Sequence, residues 1–193
     1  MDERLTRILE DARAGSAEAL DALFQQAAGR LLAVIRLRMG PQLRGRLESR
    51  DILQSTLLKA FERLDQLQGG NSQSLMCWLV RIAENEIRDQ DDFHGRRCRD
   101  AAKDAGLDEN VAAGLVAQLR SQVSRLIQDE EAVRLEQALE AIEPHYREII
   151  LLRKYEELGF ETIGARLGKS PDACRMLMAR ALAALTVKLK ELS

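Results

Sequence analysis

Apolar residues recur at intervals of three and four along almost every segment of this 193-residue chain. This spacing places them on one face of an α-helix, and no segment alternates apolar and polar residues as a half-buried strand would. The longest such face starts after Ser16 and stops before Gly40 and Pro41. Its positions are Leu20, Leu23, Phe24, Ala27, Leu31, Val34 or Ile35, and Leu37. We therefore predict an all-α protein.

The periodic segments fall into two groups with polar sequence between them. A short helix is predicted over residues 3–12, and two further helices lie between residues 48 and 89. Polar sequence without a periodic apolar face follows, helical spacing returns over residues 111–127, and it continues from residue 130. Residues 111–127 are interpreted either as a helix within the linker or as the first helix of the second domain. We predict two small helical domains, 1–95 and 130–193, joined by a linker over 96–129.

The composition argues against several classes of function. Two histidines and three widely spaced cysteines give neither a disulfide framework nor a metal-ligand pattern, so we expect no metal and no cofactor. Phosphate-binding loops and nucleophile motifs are also missing, so we expect no enzymatic activity. No apolar run reaches the roughly 20 residues that span a bilayer, and the N-terminal stretch is charged where a signal peptide is apolar. We expect a cytoplasmic protein without membrane insertion.

The stretch GKSPDACRMLMARAL, residues 168–182, begins a helix directly after a tight turn. Ser170 is a favourable N-cap residue, and Pro171 suits the first helical position. Gly168 is suited to end the preceding helix because glycine adopts the left-handed conformation at low cost, and Gly164 allows the two helices to cross closely. This pattern is typical of a helix-turn-helix, whose second helix enters the major groove of DNA.

Positive charge is concentrated in the same region. Residues 166–190 contain six basic side chains and one aspartate, whereas the whole chain has a net charge of -2. Basic residues clustered along a helix favour contact with nucleic-acid phosphates. A helical hairpin with a solvated basic face is the alternative interpretation of this segment.

Three stretches together resemble the sigma-70 family of bacterial RNA polymerase specificity subunits, in its two-domain extracytoplasmic-function group. RDILQSTLLKAF, residues 50–61, is similar to the family's core-binding helix, with Asp51 and Gln54 at its D-x-x-Q positions. WLVRIAENEIRD, residues 78–89, resembles the adjoining promoter-melting segment, and residues 138–185 resemble the domain that reads the -35 element. The order and spacing of these motifs carry the resemblance.

This resemblance implies a helix-turn-helix transcription initiation factor without catalytic residues. Its partners would be core RNA polymerase and promoter DNA, with an anti-sigma factor as a further candidate. Polymerase contacts are expected at Asp51, Gln54, Ser55, Leu58 and Lys59. Contacts with the -10 element are expected at Arg81, Asn85, Arg88, Arg96 and Arg97. Contacts with the -35 element are expected at Lys169, Ser170, Asp172, Ala173, Arg175, Met176, Ala179 and Arg180, although Arg180 alternatively braces its domain.

The residues after Asn85 depart from the family pattern. Family members usually carry a basic run there, but four arginines are balanced by four aspartates between residues 88 and 100. In the family's geometry the acidic residues near the melted strand would be Glu84, Glu86, Asp91 and Asp92. Their charge opposes phosphate contact if they face the strand. The alternative interpretation is that these acidic residues point away from the DNA. An initiation factor is therefore the leading hypothesis, beside a sigma-like decoy that titrates an inhibitory partner and an autonomous helix-turn-helix regulator.

Overall fold

The structure, a computed structural model, describes residues 3–96 and 130–192. These residues form helices and turns with no strand among them, so the all-α prediction is confirmed. They belong to two compact units, and the division between the units falls between Leu126 and Ile127, outside the described ranges. Apart from Arg96, the predicted linker also lies outside the described residues, so its limits stay a prediction.

In the described part of unit 1, the second helix is the one around which the other long helices pack. Helix α2 (Ala17–Arg38) packs against α1 (Glu3–Arg13), α4 (Ser49–Glu62) and α5 (Ser72–Arg96), and every apolar position predicted for it is buried. Burial of each large apolar side chain contributes about 1.5 to 3 kcal/mol, so α2 provides much of the core. The helices are α1 (Glu3–Arg13), α2 (Ala17–Arg38), the short α3 (Pro41–Arg44), α4 (Ser49–Glu62) and α5 (Ser72–Arg96), with a 3-10 turn at Leu64–Gln66.

The loop that precedes α5 is held by the N-terminal helix. The hydroxyl of Thr6 donates to the carbonyl oxygen of Gly70 at 3.1 Å, and the guanidinium of Arg13 donates to the carbonyl oxygen of Leu67 at 2.5 Å. Buried carbonyl groups need such partners because water cannot reach them. Helix α1 therefore fixes where α5 begins.

Helix α5 is longer than the sequence pattern predicted. The prediction ended at residue 89, but the helix continues to Arg96. One contact that supports the extra turn runs from the amide of Gln90 to the carboxylate of Glu86, at 3.2 Å and one helical turn apart. The apolar period predicts which helical residues pack against neighbouring elements, so its loss does not mark the end of the helix.

Unit 2 is built around its C-terminal helix. Its elements are α6 (Glu130–Ala141), α7 (Pro144–Ile150), a π-helical segment (Leu151–Tyr155), α8 (Phe160–Leu167) and α9 (Pro171–Glu191). Helix α9 packs against α6, α7 and α8. This arrangement leaves the beginning of α9 at the surface, next to α8.

Arginine side chains close two corners of unit 2. Arg147 donates to the carbonyl oxygens of Leu139 at 2.9 Å and Glu140 at 2.7 Å. Both lie at the end of α6, where the geometry of a helix leaves carbonyl groups for partners outside it. Arg166 of α8 pairs at 2.9 Å with Glu156, whose side chain is buried after the π-helical segment. Both arginines thus serve the fold.

Candidate nucleic-acid and polymerase interfaces

The turn between α8 and α9 has the geometry that its glycines predicted. Gly168 adopts a φ of 65°, which is the left-handed conformation, and its N–H donates to the carbonyl oxygen of Gly164. A Cβ at position 164 would lie 2.5 Å from the carbonyl oxygen of Lys169, so only glycine fits this crossing. The hydroxyl of Ser170 accepts a bond of 3.1 Å from the N–H of Ala173 and caps α9. The predicted helix-turn-helix is present.

Helix α9 has a buried face and an exposed face along its N-terminal half. Cys174, Met178 and Ala181 are buried against the rest of unit 2. All eight residues predicted to contact the -35 element are exposed, and they are Lys169, Ser170, Asp172, Ala173, Arg175, Met176, Ala179 and Arg180. The structure therefore brings this whole set to one solvent-facing surface, which we call the α9 surface.

The cations on the α9 surface differ in their surroundings. Within the described part of the chain, the side chains of Lys169 and Arg180 are exposed and make no hydrogen bond or ion pair, so no polar contact supports the bracing role considered for Arg180. Arg175, by contrast, pairs with the carboxylate of Asp172 one turn earlier. The backbone N–H groups at the start of α9 add partial positive charge that favours an anion such as phosphate.

An aromatic ring beside Arg175 was not among the residues predicted from sequence. The guanidinium carbon of Arg175 lies 5.6 Å from the centre of the Phe160 ring, and that of Arg153 lies 5.1 Å from it. Contacts at this distance between a guanidinium and an aromatic face are attractive. Aromatic residues make up only 4% of the chain, and the position of Phe160 at the start of the helix-turn-helix was the signal that could have revealed it.

Three of the residues predicted to contact the -10 element share one exposed face of α5. Arg81, Asn85 and Arg88 are exposed and follow one another at intervals of four and three residues, which places them on the same side of the helix. The Arg88 guanidinium lies 3.5 Å from the side-chain oxygen of Asn85, at the limit of a hydrogen bond. Arg96 is the last residue of α5, and Arg97 lies outside the described residues. We call Arg81, Asn85 and Arg88 the α5 surface.

Two of the four acidic residues expected near melted DNA are instead held by basic residues of unit 1. Glu84 pairs with Arg38 of α2 at 3.1 Å. Glu86 is 3% exposed and pairs with Lys59 of α4, which supports the alternative interpretation that it points away from DNA. Its position had a signal, because Glu86 continues the buried stripe of α5 at a helical interval. Asp91 and Asp92 are exposed, as expected.

The predicted polymerase-binding residues lie on α4 with unequal exposure. Asp51 is exposed, whereas Gln54, Ser55, Leu58 and Lys59 are half-buried. Lys59 is already engaged with Glu86, so its ammonium group has a structural partner before any protein binds. We call these five residues the α4 surface.

Hydropathy along the described helices gives no candidate for a membrane-spanning segment. The described part of the chain also contains no group of three or more histidine, cysteine, aspartate or glutamate side chains that could hold a metal ion.

Comparison with known proteins agrees with this arrangement. Residues 23–97 match the family model "Sigma-70 region 2", and residues 132–185 match "Sigma-70, region 4". The α4 and α5 surfaces fall within the first match, and the α9 surface falls within the second. The two matches together cover most of the chain.

Curated relatives share this organisation over nearly the whole chain. The RNA polymerase sigma factor CarQ of Myxococcus xanthus is 29% identical over 184 residues, covering 95% of this chain and 97% of its own length. The ECF RNA polymerase sigma factor BldN of Streptomyces coelicolor is 26% identical over 94% of this chain, which spans 64% of the length of BldN. CnrH, solved in complex with the cytosolic domain of CnrY, has the same fold, with a TM-score of 0.51, 22% identity and coverage of 98% of this chain and 99% of that chain. The chain therefore belongs to the sigma-70 family of RNA polymerase specificity subunits, in its extracytoplasmic-function group.

Proposed function

We propose that the chain is a promoter-specific transcription initiation factor with a division of tasks between its units. Unit 1 binds polymerase and helps to open DNA, and unit 2 recognises the -35 element. The chain binds core RNA polymerase through the α4 surface, reads and helps to open the -10 element through the α5 surface, and reads the -35 element through the α9 surface. The polymerase supplies the chemistry of RNA synthesis. Two weak attachments carried on one chain bind more tightly than either alone, and they release again when one is lost.

The observation that carries the -35 assignment is the exposure of the α9 surface. A recognition helix needs a buried face that fixes it in its domain and an open N-terminal face that reaches base edges. Helix α9 has both, with Cys174 and Met178 inside and Arg175 and Met176 outside. Lys169 and Arg180 add cations without competing partners in the described part, as phosphate contact requires.

The ion pairs of Glu84 and Glu86 support a role of unit 1 in promoter opening. The acidic residues after Asn85 were the reason to consider a decoy that does not initiate. Glu84 pairs with Arg38 and Glu86 pairs with Lys59 inside the unit, so a cation neutralises each of these two charges and reduces its repulsion of DNA. The exposed face of α5 keeps Arg81 and Arg88, as a groove for single-stranded DNA requires.

A regulatory protein belongs among the proposed partners. CnrH, which shares the fold of this chain, was solved in complex with the cytosolic domain of another protein, CnrY. A partner of this kind would act as an anti-sigma factor on this chain if it covered the α4 surface, because the polymerase would then lose its attachment site.

The test is transcription from a library of promoter fragments by core polymerase with and without the full chain. Start sites should appear only with the wild-type chain, and Asp51→Ala/Gln54→Ala should abolish them by weakening binding to core. A matched control is Asp65→Ala/Gln66→Ala, which removes the same two residue types from an exposed turn outside the three surfaces. Binding to core without any start sites would favour the decoy, and the absence of binding to core would refute the assignment of unit 1.

A further inference from the structure

We infer that Phe160 and Asp172 are positioning residues that hold the Arg175 guanidinium ready to read a guanine in the -35 element. This inference rests on the proposed function, since it assumes that the α9 surface faces DNA. The inference adds Phe160, a residue outside the recognition helix, to the residues that determine -35 recognition. It also gives Asp172 a role that its charge alone would not predict.

The contacts of Arg175 carry the inference. Its side chain is 55% exposed, and an arginine so placed ordinarily samples many rotamers. Here the Nη1 group donates to the Oδ1 of Asp172, while the guanidinium lies 5.6 Å from the centre of the Phe160 ring. Two contacts at different points of one planar group restrict both its position and its orientation.

The ring of Phe160 is itself held from a second direction. Arg153 lies 5.1 Å from the ring centre, and its Nη1 group donates to the carbonyl oxygen of Leu158 at 3.1 Å. Leu158 lies just before α8, so the loop, the ring and both guanidinium groups form one connected set. The ring is therefore a fixed support for Arg175.

The geometry of the guanidinium group shows which of its N–H donors remain available for DNA. The bond to Asp172 uses Nη1, whereas Nε and Nη2 lie together on the other edge and donate in parallel. Two parallel donors match the N7 and O6 acceptors that guanine presents in the major groove. Fixing this edge before DNA arrives lowers the ordering cost of binding, so the contact discriminates more strongly between bases.

A different role for Asp172 makes the opposite prediction. If the carboxylate only neutralises Arg175 and repels phosphate, its removal would strengthen binding to every DNA sequence and leave discrimination unchanged. If it positions Arg175, removal still relieves repulsion from phosphate but reduces discrimination at one base pair. Discrimination between bases, measured apart from overall affinity, therefore separates the two roles.

The experiment selects promoter DNA with holoenzyme assembled from the full chain and core polymerase, using fragments randomised across the -35 element. The wild type should enrich a motif with one guanine that Arg175→Ala no longer selects. Asp172→Ala and Phe160→Leu should each lower discrimination at that same base pair about tenfold, within the range of a bidentate arginine contact. Phe160→Tyr keeps the aromatic ring and should therefore keep discrimination at the wild-type level.

The control is Glu161→Ala, which removes an equal charge from an exposed position of α8 and should leave discrimination unchanged. Asp172→Ala should also leave binding to non-cognate DNA equal or stronger, which a merely damaged fold would not do. Full discrimination in Phe160→Leu and Asp172→Ala, with a motif still present in the wild type, would overturn this inference alone. A wild type that enriches no -35 motif would overturn the proposed function and the inference with it.

Discussion

Lys59 of α4 and Glu86 of α5 form an ion pair between the helix proposed to bind polymerase and the helix proposed to open DNA. Glu86 is buried, and its other carboxylate oxygen accepts from the amide of Gln90 at 3.2 Å. The acidic side chain is thus fully engaged inside unit 1. This pair joins the two helices that carry the α4 surface and the α5 surface.

Removing one partner of the pair should destabilise unit 1. Lys59→Met leaves a buried carboxylate without its cation and should lower the free energy of unfolding by about 1 to 3 kcal/mol. Lys59→Met/Glu86→Met should recover most of this loss, because apolar side chains of similar size often replace a buried pair without cost. Trp78 is the only tryptophan and lies in α5, so its fluorescence during urea unfolding reports on unit 1. A double variant as unstable as the sum of the single variants would contradict this account.

Substitution of the crossing glycine should destabilise unit 2. Alanine is ordinarily better than glycine inside a helix by about 1 kcal/mol, so Gly164→Ala would stabilise α8 if space allowed. The Cβ would instead lie 2.5 Å from the backbone oxygen of Lys169, and we expect a net loss of about 1 to 3 kcal/mol. Unfolding followed by circular dichroism should show the loss, with the Trp78 transition unchanged. Thr162→Ala, at an exposed position of the same helix, is the control, and a stabilised Gly164→Ala would refute the predicted clash.

The two serine caps should act on separate units. Ser16 caps α2 and Ser170 caps α9, and replacing either with alanine should cost about 1 kcal/mol. Ser16→Ala should shift the Trp78 transition, whereas Ser170→Ala should shift only the remaining circular-dichroism transition. Ser16→Asp and Ser170→Asp keep a capping oxygen and should stay close to the wild type. A shift of both transitions by one variant would show that the units do not unfold independently.

The arginines of the α5 surface should determine the salt dependence of binding to melted DNA. Each phosphate contact contributes about 0.7 to the slope of log affinity against log salt for single strands. Arg81→Ala and Arg88→Ala should each reduce the magnitude of this slope by about that amount, measured with holoenzyme on promoter DNA carrying an unpaired -10 segment. Arg63→Ala removes an exposed arginine beyond the end of α4 and should leave the slope unchanged. Equal slopes for all variants would exclude the α5 surface from phosphate contact.

Exposure should decide which acidic residue of α5 weakens DNA binding. Asp91 is exposed, so Asp91→Asn removes a repelling charge and should strengthen holoenzyme binding to the same unpaired DNA. Glu86 is buried and paired, so Glu86→Gln should change stability without strengthening that binding. Stronger binding for Glu86→Gln than for Asp91→Asn would show that Glu86 reaches the DNA after all.

Local sequence signals predicted the helices and the helix-turn-helix, because caps, glycines and apolar periods act over one or two turns. Gly168 and Ser170 occupy the predicted cap positions, and Ser16, after which the longest apolar face was predicted to start, caps α2. The exposed side of α9 followed from the same period. These features need no knowledge of the remaining chain.

Contacts between distant segments could not be predicted in the same way. Glu84 and Arg38 belong to different helices far apart along the chain, and their pairing depends on how α2 packs against α5. The support of Arg175 by Phe160 likewise depends on the angle between α8 and α9. Sequence patterns indicate which side chains face inward, but the partner that each charged group meets is decided by packing.

The polar contacts of the two units differ in how far along the chain they reach, and this difference bears on folding rate. In unit 1, Thr6 meets Gly70 and Arg13 meets Leu67, across 64 and 54 residues. In unit 2, the bond from Arg147 to Leu139 crosses only 8 residues. Closing short loops loses less chain entropy and gives faster folding. We therefore expect unit 2 to refold first after dilution from denaturant, so that the -35 reader is complete while the polymerase-binding unit is still assembling.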